Sequence, residues 1–173
     1  IRTMALFGDV DEEKCLDLII GMLSLTEFKE EEPPYKPIKF YISTYGGSAD
    51  EMFAIYDMMS ILKAKCEMET IGLGKVMSAG TLLLASGTKG KRKIGRHCRV
   101  MIHAVAAGSQ GELHAMENEM KSIKHIQELY INALARETSM TKRTIQKLLD
   151  RRVNVYLTAE EAVEYGIADE IIN

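Results

Sequence analysis

Short apolar runs that stop at glycine alternate along this chain with longer stretches whose apolar residues recur at helical spacing, and that alternation constrains the fold most. Strands that take turns with helices build α/β domains, in which crossover helices cover a mostly parallel sheet. Arg2 to Phe7 reads as a first strand closed by Gly8, and Asp11 to Leu25 as a helix whose apolar residues fall at 15, 16, 18, 19, 20, 22, 23 and 25. Thr26 to Pro37 is charged and holds all three prolines, so an exposed loop is expected before a buried strand at Ile38 to Ile42. A glycine turn, Ser43 to Ser48, leads into a helix over about 49–64. Met68 to Leu73 reads as a strand broken by Gly72 and Gly74, and a small-residue helix opens near Ser78 and ends at Gly87.

The basic stretch Lys89 to Arg96 reads as a solvated hairpin. Arg99 to His103 is a third strand, and a long helical pattern follows over about 111–137. Thr141 to Leu149 is a shorter helix. Thr158-Ala-Glu-Glu161 is a capping box, in which the threonine oxygen takes a free amide and the glutamate reaches back; it opens a helix that Gly166 stops. Ile167 to Ile172 is a final strand.

Composition bounds the function. At 173 residues the chain is expected to be one domain, 1–173, since domains run to roughly 150 residues. With 46% hydrophobic and 27% charged residues it has the profile of a globular protein. A net charge of −3 offers no electrostatic case for nucleic acid. No apolar run approaches the roughly 20 residues of a membrane span, so no membrane association is expected. No signal peptide is expected either, and Ile1 leaves upstream residues open. Cys15, Cys66 and Cys98 are odd in number and lack CxxC spacing, which argues against disulfides and a zinc site and for a reducing cytoplasm.

Three weak chemical signals occur in a telling order. Ser78, in Gly74-Lys-Val-Met-Ser-Ala-Gly80, stands between a strand and a helix, as in a nucleophile elbow; a plain helix N-cap is the other reading. His103 ends a buried strand, where α/β sites gather, although a structural histidine fits too. Gly46-Gly47 offers unobstructed amides suited to an oxyanion, or simply a tight turn. His97, His114 and His125 carry no expected role.

Taken together, Tyr41 to Gly47, Met77 to Gly87 and Arg99 to His103 resemble the caseinolytic protease proteolytic subunit family, ClpP. Ala54-Ile-Tyr-Asp57, Gly87 to Arg92, Gln110-Gly111 and the tail Thr158 to Gly166 extend the resemblance over nearly the whole chain. It implies a ClpP/crotonase-like α/β fold of stacked βαβ units with a protruding handle helix at about 111–137. It implies a serine endopeptidase with Ser78 as nucleophile, His103 as base, and Gly47 and Ala79 as oxyanion donors. Substrate strands would dock near Glu112 to Met120. Implied partners are further copies of the chain in heptameric rings stacked in pairs, an AAA+ unfoldase, and unfolded or peptide substrates. No metal or cofactor is implied, ATP being used only by the unfoldase.

The departures matter as much. The tail alignment puts Asn154 where the family's triad aspartate stands, with Asp150 as the alternative third member. An asparagine can hold the histidine tautomer but brings no charge to imidazolium; in one well-studied triad that exchange lowers turnover by roughly four orders of magnitude. Ser43-Thr44-Tyr45 precedes the glycines where the family has Asn-Ser-Pro, and Ala104-Val105 replaces Gln-Pro after the histidine. Val153 replaces a frequent arginine, the loop around Pro33 and Pro34 is longer than usual, and the family's amino-terminal axial loop is not seen, for which truncation, disorder and processing stay open. These features mark an outlying branch, with the host cytoplasm expected for a phage member and the stroma for a plastid one. A catalytically weak or inactive structural ClpP-like subunit, assembling with active paralogues, is the competing function. Remoter alternatives are a Ser-Lys dyad through Lys75 and a crotonase-type hydratase.

Overall fold

The structure, a computed structural model, describes residues 2–26, 34–108, 110–151 and 153–173. Among the described residues seven strands form one mixed, mostly parallel sheet. Along its main path β1 (Thr3–Phe7), β2 (Tyr35–Thr44), β3 (Cys66–Met77), β4 (Arg92–Gly95) and β7 (Glu170–Ile172) lie side by side. β5 (Arg99–Ile102) runs parallel to the far end of β3, and β6 (Val155–Leu157) pairs antiparallel with β5. Inward residues alternate as a half-buried sheet requires: Met4 and Leu6 on β1, then Ile38, Phe40 and Ile42 on β2. They share one hydrophobic cluster with Leu18 and Met22 of α1 (Glu12–Thr26), Ile55 and Met59 of α2 (Ala49–Leu62), and Leu82 to Leu84 of α3 (Ala79–Ala85).

Three expectations change on contact with the structure. The glycines of β3 do not end it at Leu73. Gly74 takes φ 67°, and between the pairs Ile42↔Gly72 and Thr44↔Val76 the register slips by a bulge. β3 thereby changes neighbour, from β4 at Thr70 to Gly72 to β5 at Lys75 to Met77. A break in the pattern is a bend in one strand.

The basic stretch is not a solvated hairpin. β4 runs within the sheet between β3 and β7, and Arg92 is only 4% exposed. Its guanidinium donates to the carboxylate of Asp169 (2.9 and 2.6 Å) and to the carbonyls of Ala85 (3.1 Å) and Glu137 (2.5 Å). A buried charge so paired is tolerated where a bare one is not. Burial pushes the Asp169 carboxyl up, but the Arg92 guanidinium and the amides of Arg92 and Gly90 outweigh that and hold it below the usual carboxylate range.

Finally, β2 begins at Tyr35, ahead of Ile38, and accommodates Pro37 at a register shift where no ladder donor is required. Most of the longer loop expected around Pro33 and Pro34 lies outside the described residues. No strand is expected at β6 from sequence, since three residues show too little pattern.

α4 (Leu113–Glu137) stands where the handle is expected. Its buried residues, Tyr130, Ile131, Ala133, Leu134 and Glu137, all belong to the last two turns, while Leu113, Met116 and Met120 are exposed. Glu137 accepts from the Tyr56 hydroxyl (2.9 Å) and lies 3.9 Å from the Lys63 ammonium. Burial, then Glu137, push the Tyr56 phenol up to about 12; burial also lowers the Lys63 ammonium. α5 (Lys142–Leu149) and α6 (Ala159–Glu164) follow, the latter opened by the expected capping box at Thr158 and Glu161. Among the described residues no helix is long and apolar enough to cross a membrane.

Candidate active site

β3 leads into α3 through a single residue, Ser78, whose backbone sits at φ 54° and ψ −117°. Among the described residues it is the only non-glycine with positive φ. Such a conformation costs on the order of 1–3 kcal/mol and persists only where surrounding bonds over-determine it. Here they do. The Ser78 amide donates to Met101 O (2.8 Å), and the Ser78 carbonyl accepts from Thr81 N–H (3.0 Å) and from the Tyr130 hydroxyl (3.0 Å). Thr81 Oγ1 adds a bond to the same Met101 carbonyl at 3.1 Å.

The turn needs glycine beside it. A Cβ on Gly46 would lie 2.7 Å from Ser78 Cβ, and one on Gly47 would overlap the Val10 carbonyl. Thr44 Oγ1 accepts from the Gly46 amide at 3.0 Å. Val10 N–H donates to Gly46 O and Ser48 N–H to Val10 O, both at 2.9 Å, which fixes the loop; among the described residues the Gly47 amide makes no hydrogen bond.

The Ser78 side chain makes no capping bond to α3. Its Oγ lies instead 2.8 Å from Nε2 of His103, the first residue beyond β5. The plain N-cap reading of Ser78 is therefore set aside, because the hydroxyl faces an imidazole. Both residues line a cavity of about 210 Å³ together with Gly47, Met52, Ala79, Ala104, Val105 and Tyr130. A hydroxyl bonded to imidazole can be deprotonated as it attacks a carbonyl.

The other candidates lie further out. The antiparallel register Met101↔Tyr156, Ile102↔Val155 sets Asn154 across from His103 if it is continued by one step. Asn154 is exposed, and Asp150 closes α5 as its C-cap. Among the described residues no hydrogen bond joins either one to His103. Lys75, which a dyad would use, lies over the Tyr45 ring at 4.7 Å and forms no hydrogen bond with Ser78 among the described residues.

Two residues of α4 also reach this site, and the sequence offers no sign of it. Tyr130 bonds the Ser78 carbonyl, and Gln127 Oε1 accepts from the Val105 amide at 3.2 Å, just beyond His103. Within the helix, Tyr130 reads only as one more apolar position; knowing its partner requires the tertiary fold.

A strained serine paired with a histidine at the carboxyl ends of parallel strands defines the hydrolase class of α/β sites. The Clp protease family model matches residues 1–173, and the chain belongs to that family. It is thereby a ClpP-type peptidase by descent, on the mixed α/β fold the resemblance implies.

Proposed function

We propose that the chain is the proteolytic subunit of an ATP-dependent Clp protease, an endopeptidase cleaving unfolded proteins and peptides inside a ring-shaped chamber. The observation that carries this reading is the 2.8 Å contact between Ser78 Oγ and His103 Nε2. Ser78 Oγ attacks the scissile carbonyl while His103 takes its proton at Nε2. The amides of Gly47 and Ala79 hold the oxyanion, each such donor being worth roughly 3 to 4 kcal/mol in other serine hydrolases. Collapse breaks the C–N bond, His103 protonates the leaving amine, and water, deprotonated by His103, releases the acyl group. Asn154, one register step beyond β6 and opposite His103, is the proposed third member once its side-chain oxygen turns onto Nδ1–H, with Asp150 the alternative.

No cofactor takes part in this scheme; ATP is consumed by an AAA+ unfoldase docked on stacked heptameric rings. A reducing compartment, the cytoplasm or a stroma, agrees with Cys15, Cys66 and Cys98 being free and buried.

One observation favours a second reading, a weakly active or structural subunit working beside active paralogues: Asn154 is exposed and, among the described residues, makes no hydrogen bond to His103. Incubating the assembled protein with a fluorophosphonate probe and reading intact mass separates the two. A single adduct that Ser78→Ala abolishes supports the peptidase. No adduct on the assembled oligomer supports the structural subunit.

A further inference from the structure

We infer that Tyr130 is a positioning residue for the peptide between Ser78 and Ala79, with Gln127 as its counterpart for the histidine segment; the inference rests on the peptidase reading of Ser78 and His103. The Tyr130 hydroxyl donates to the carbonyl of Ser78 itself, at 3.0 Å, from a side chain only 5% exposed. That carbonyl belongs to the peptide whose orientation sets ψ −117° at Ser78, and ψ decides where Ala79 N–H points. A donor fixed on the carbonyl side therefore fixes an amide on the other side of the same peptide plane, since the six atoms of the unit move together. One hydroxyl thus holds the aim of the proposed oxyanion donor beside the Ser78 side chain.

Gln127, three residues earlier on the same face of α4, does the equivalent for the histidine segment. Its Oε1 accepts from the Val105 amide at 3.2 Å and anchors the chain just after β5 ends. Residues at this spacing on a helix are neighbours, so the two anchors move as one. Neither touches Oγ or Nε2, so neither is catalytic in its own right. Thr81 N–H still satisfies the Ser78 carbonyl when the phenol is gone, so Tyr130→Phe removes a constraint without orphaning a buried acceptor.

The test is the concentration dependence of fluorophosphonate inactivation for the assembled wild type, Tyr130→Phe and Gln127→Ala, with thermal unfolding of each. Loss of one oriented hydrogen bond is expected to lower the limiting inactivation rate about tenfold in Tyr130→Phe, with the half-saturating probe concentration and melting temperature unchanged. Gln127→Ala is expected to fall in the same direction by a smaller factor. An unchanged limiting rate in Tyr130→Phe overturns the inference, as does a rate loss that appears only together with a lower melting temperature. Wild-type protein that takes no adduct overturns it as well, and that result is read on the wild type alone, where the peptidase reading itself has failed.

Discussion

Two polar centres lie along the last turns of α4, and they treat their reactive groups in opposite ways. At Glu137 each charge has its partner: the carboxylate meets Tyr56 and Lys63, and Arg92 is divided between Asp169 and two carbonyls. At Tyr130 the neighbouring groups are held but not consumed. The Ser78 hydroxyl is turned away from its helix, the Gly47 amide makes no hydrogen bond among the described residues, and a cavity of about 210 Å³ stands open beside them. Satisfied networks rigidify a fold, whereas strained and partly satisfied groups mark where a fold does chemistry. The same helix supports both, which is why its final two turns are its only buried part.

The sharpest way to break this contrast is to remove the hydroxyl of Ser78, the proposed nucleophile. Ser78→Ala is expected to abolish the phosphonate adduct and to lower peptide turnover by up to about 10⁶-fold, as nucleophile loss does in another serine protease, while the urea midpoint stays close to wild type. A large loss of stability would mean that the open centre is structural after all.

The mirror experiment is Asp169→Ala. It leaves Arg92 buried without its carboxylate, and unfolding in urea is expected to show a loss of about 3 kcal/mol with the labelling rate of the folded protein unchanged. The pH dependence has a definite sign. Because the folded carboxyl is held below its unfolded value, its contribution is complete above about pH 4 and disappears as pH falls through the folded value. Urea titrations of wild type and Asp169→Ala should therefore converge on acidification.

Asn154→Asp sharpens the comparison from the other side by giving the open centre the charge it lacks. Labelling is expected to rise by at least about tenfold, well within the factor that a triad aspartate supplies elsewhere. Asp150→Asn, made in parallel, should change little; if it alone abolishes labelling, the third member is Asp150. The smallest effect belongs to a place outside both centres. Thr158→Ala removes the capping box of α6 and should cost about 1 kcal/mol in urea unfolding with no change in labelling.

What is legible from sequence follows from how local each feature is. The Ser78 turn, the glycine pair and His103 announce themselves because strand, sharp turn and helix fall within a few residues of one another. The capping box is legible for the same reason. Arg92 is misread as solvated because its four acceptors come from Ala85, Glu137 and Asp169, and no local pattern joins them. The glycines of β3 are misread as an end because a bulge and a terminus look alike until the neighbouring strands are known. Tyr130 and Gln127 fall into this class: an apolar face has room for a tyrosine, and only the packed helix shows where its hydroxyl goes.

The bend of β3 has a consequence in time. β3 must recruit β2, β4 and β5, each in parallel and each across an intervening segment, so its pairings close late and slowly compared with those of a helical bundle. Its last pair, Met77↔Met101, adjoins the bond from the Ser78 amide to the Met101 carbonyl. The order of the proposed nucleophile is thus tied to the pairing that seats β5. A refolding chain stopped before that pairing would carry most of its native circular dichroism and still be inert toward a phosphonate.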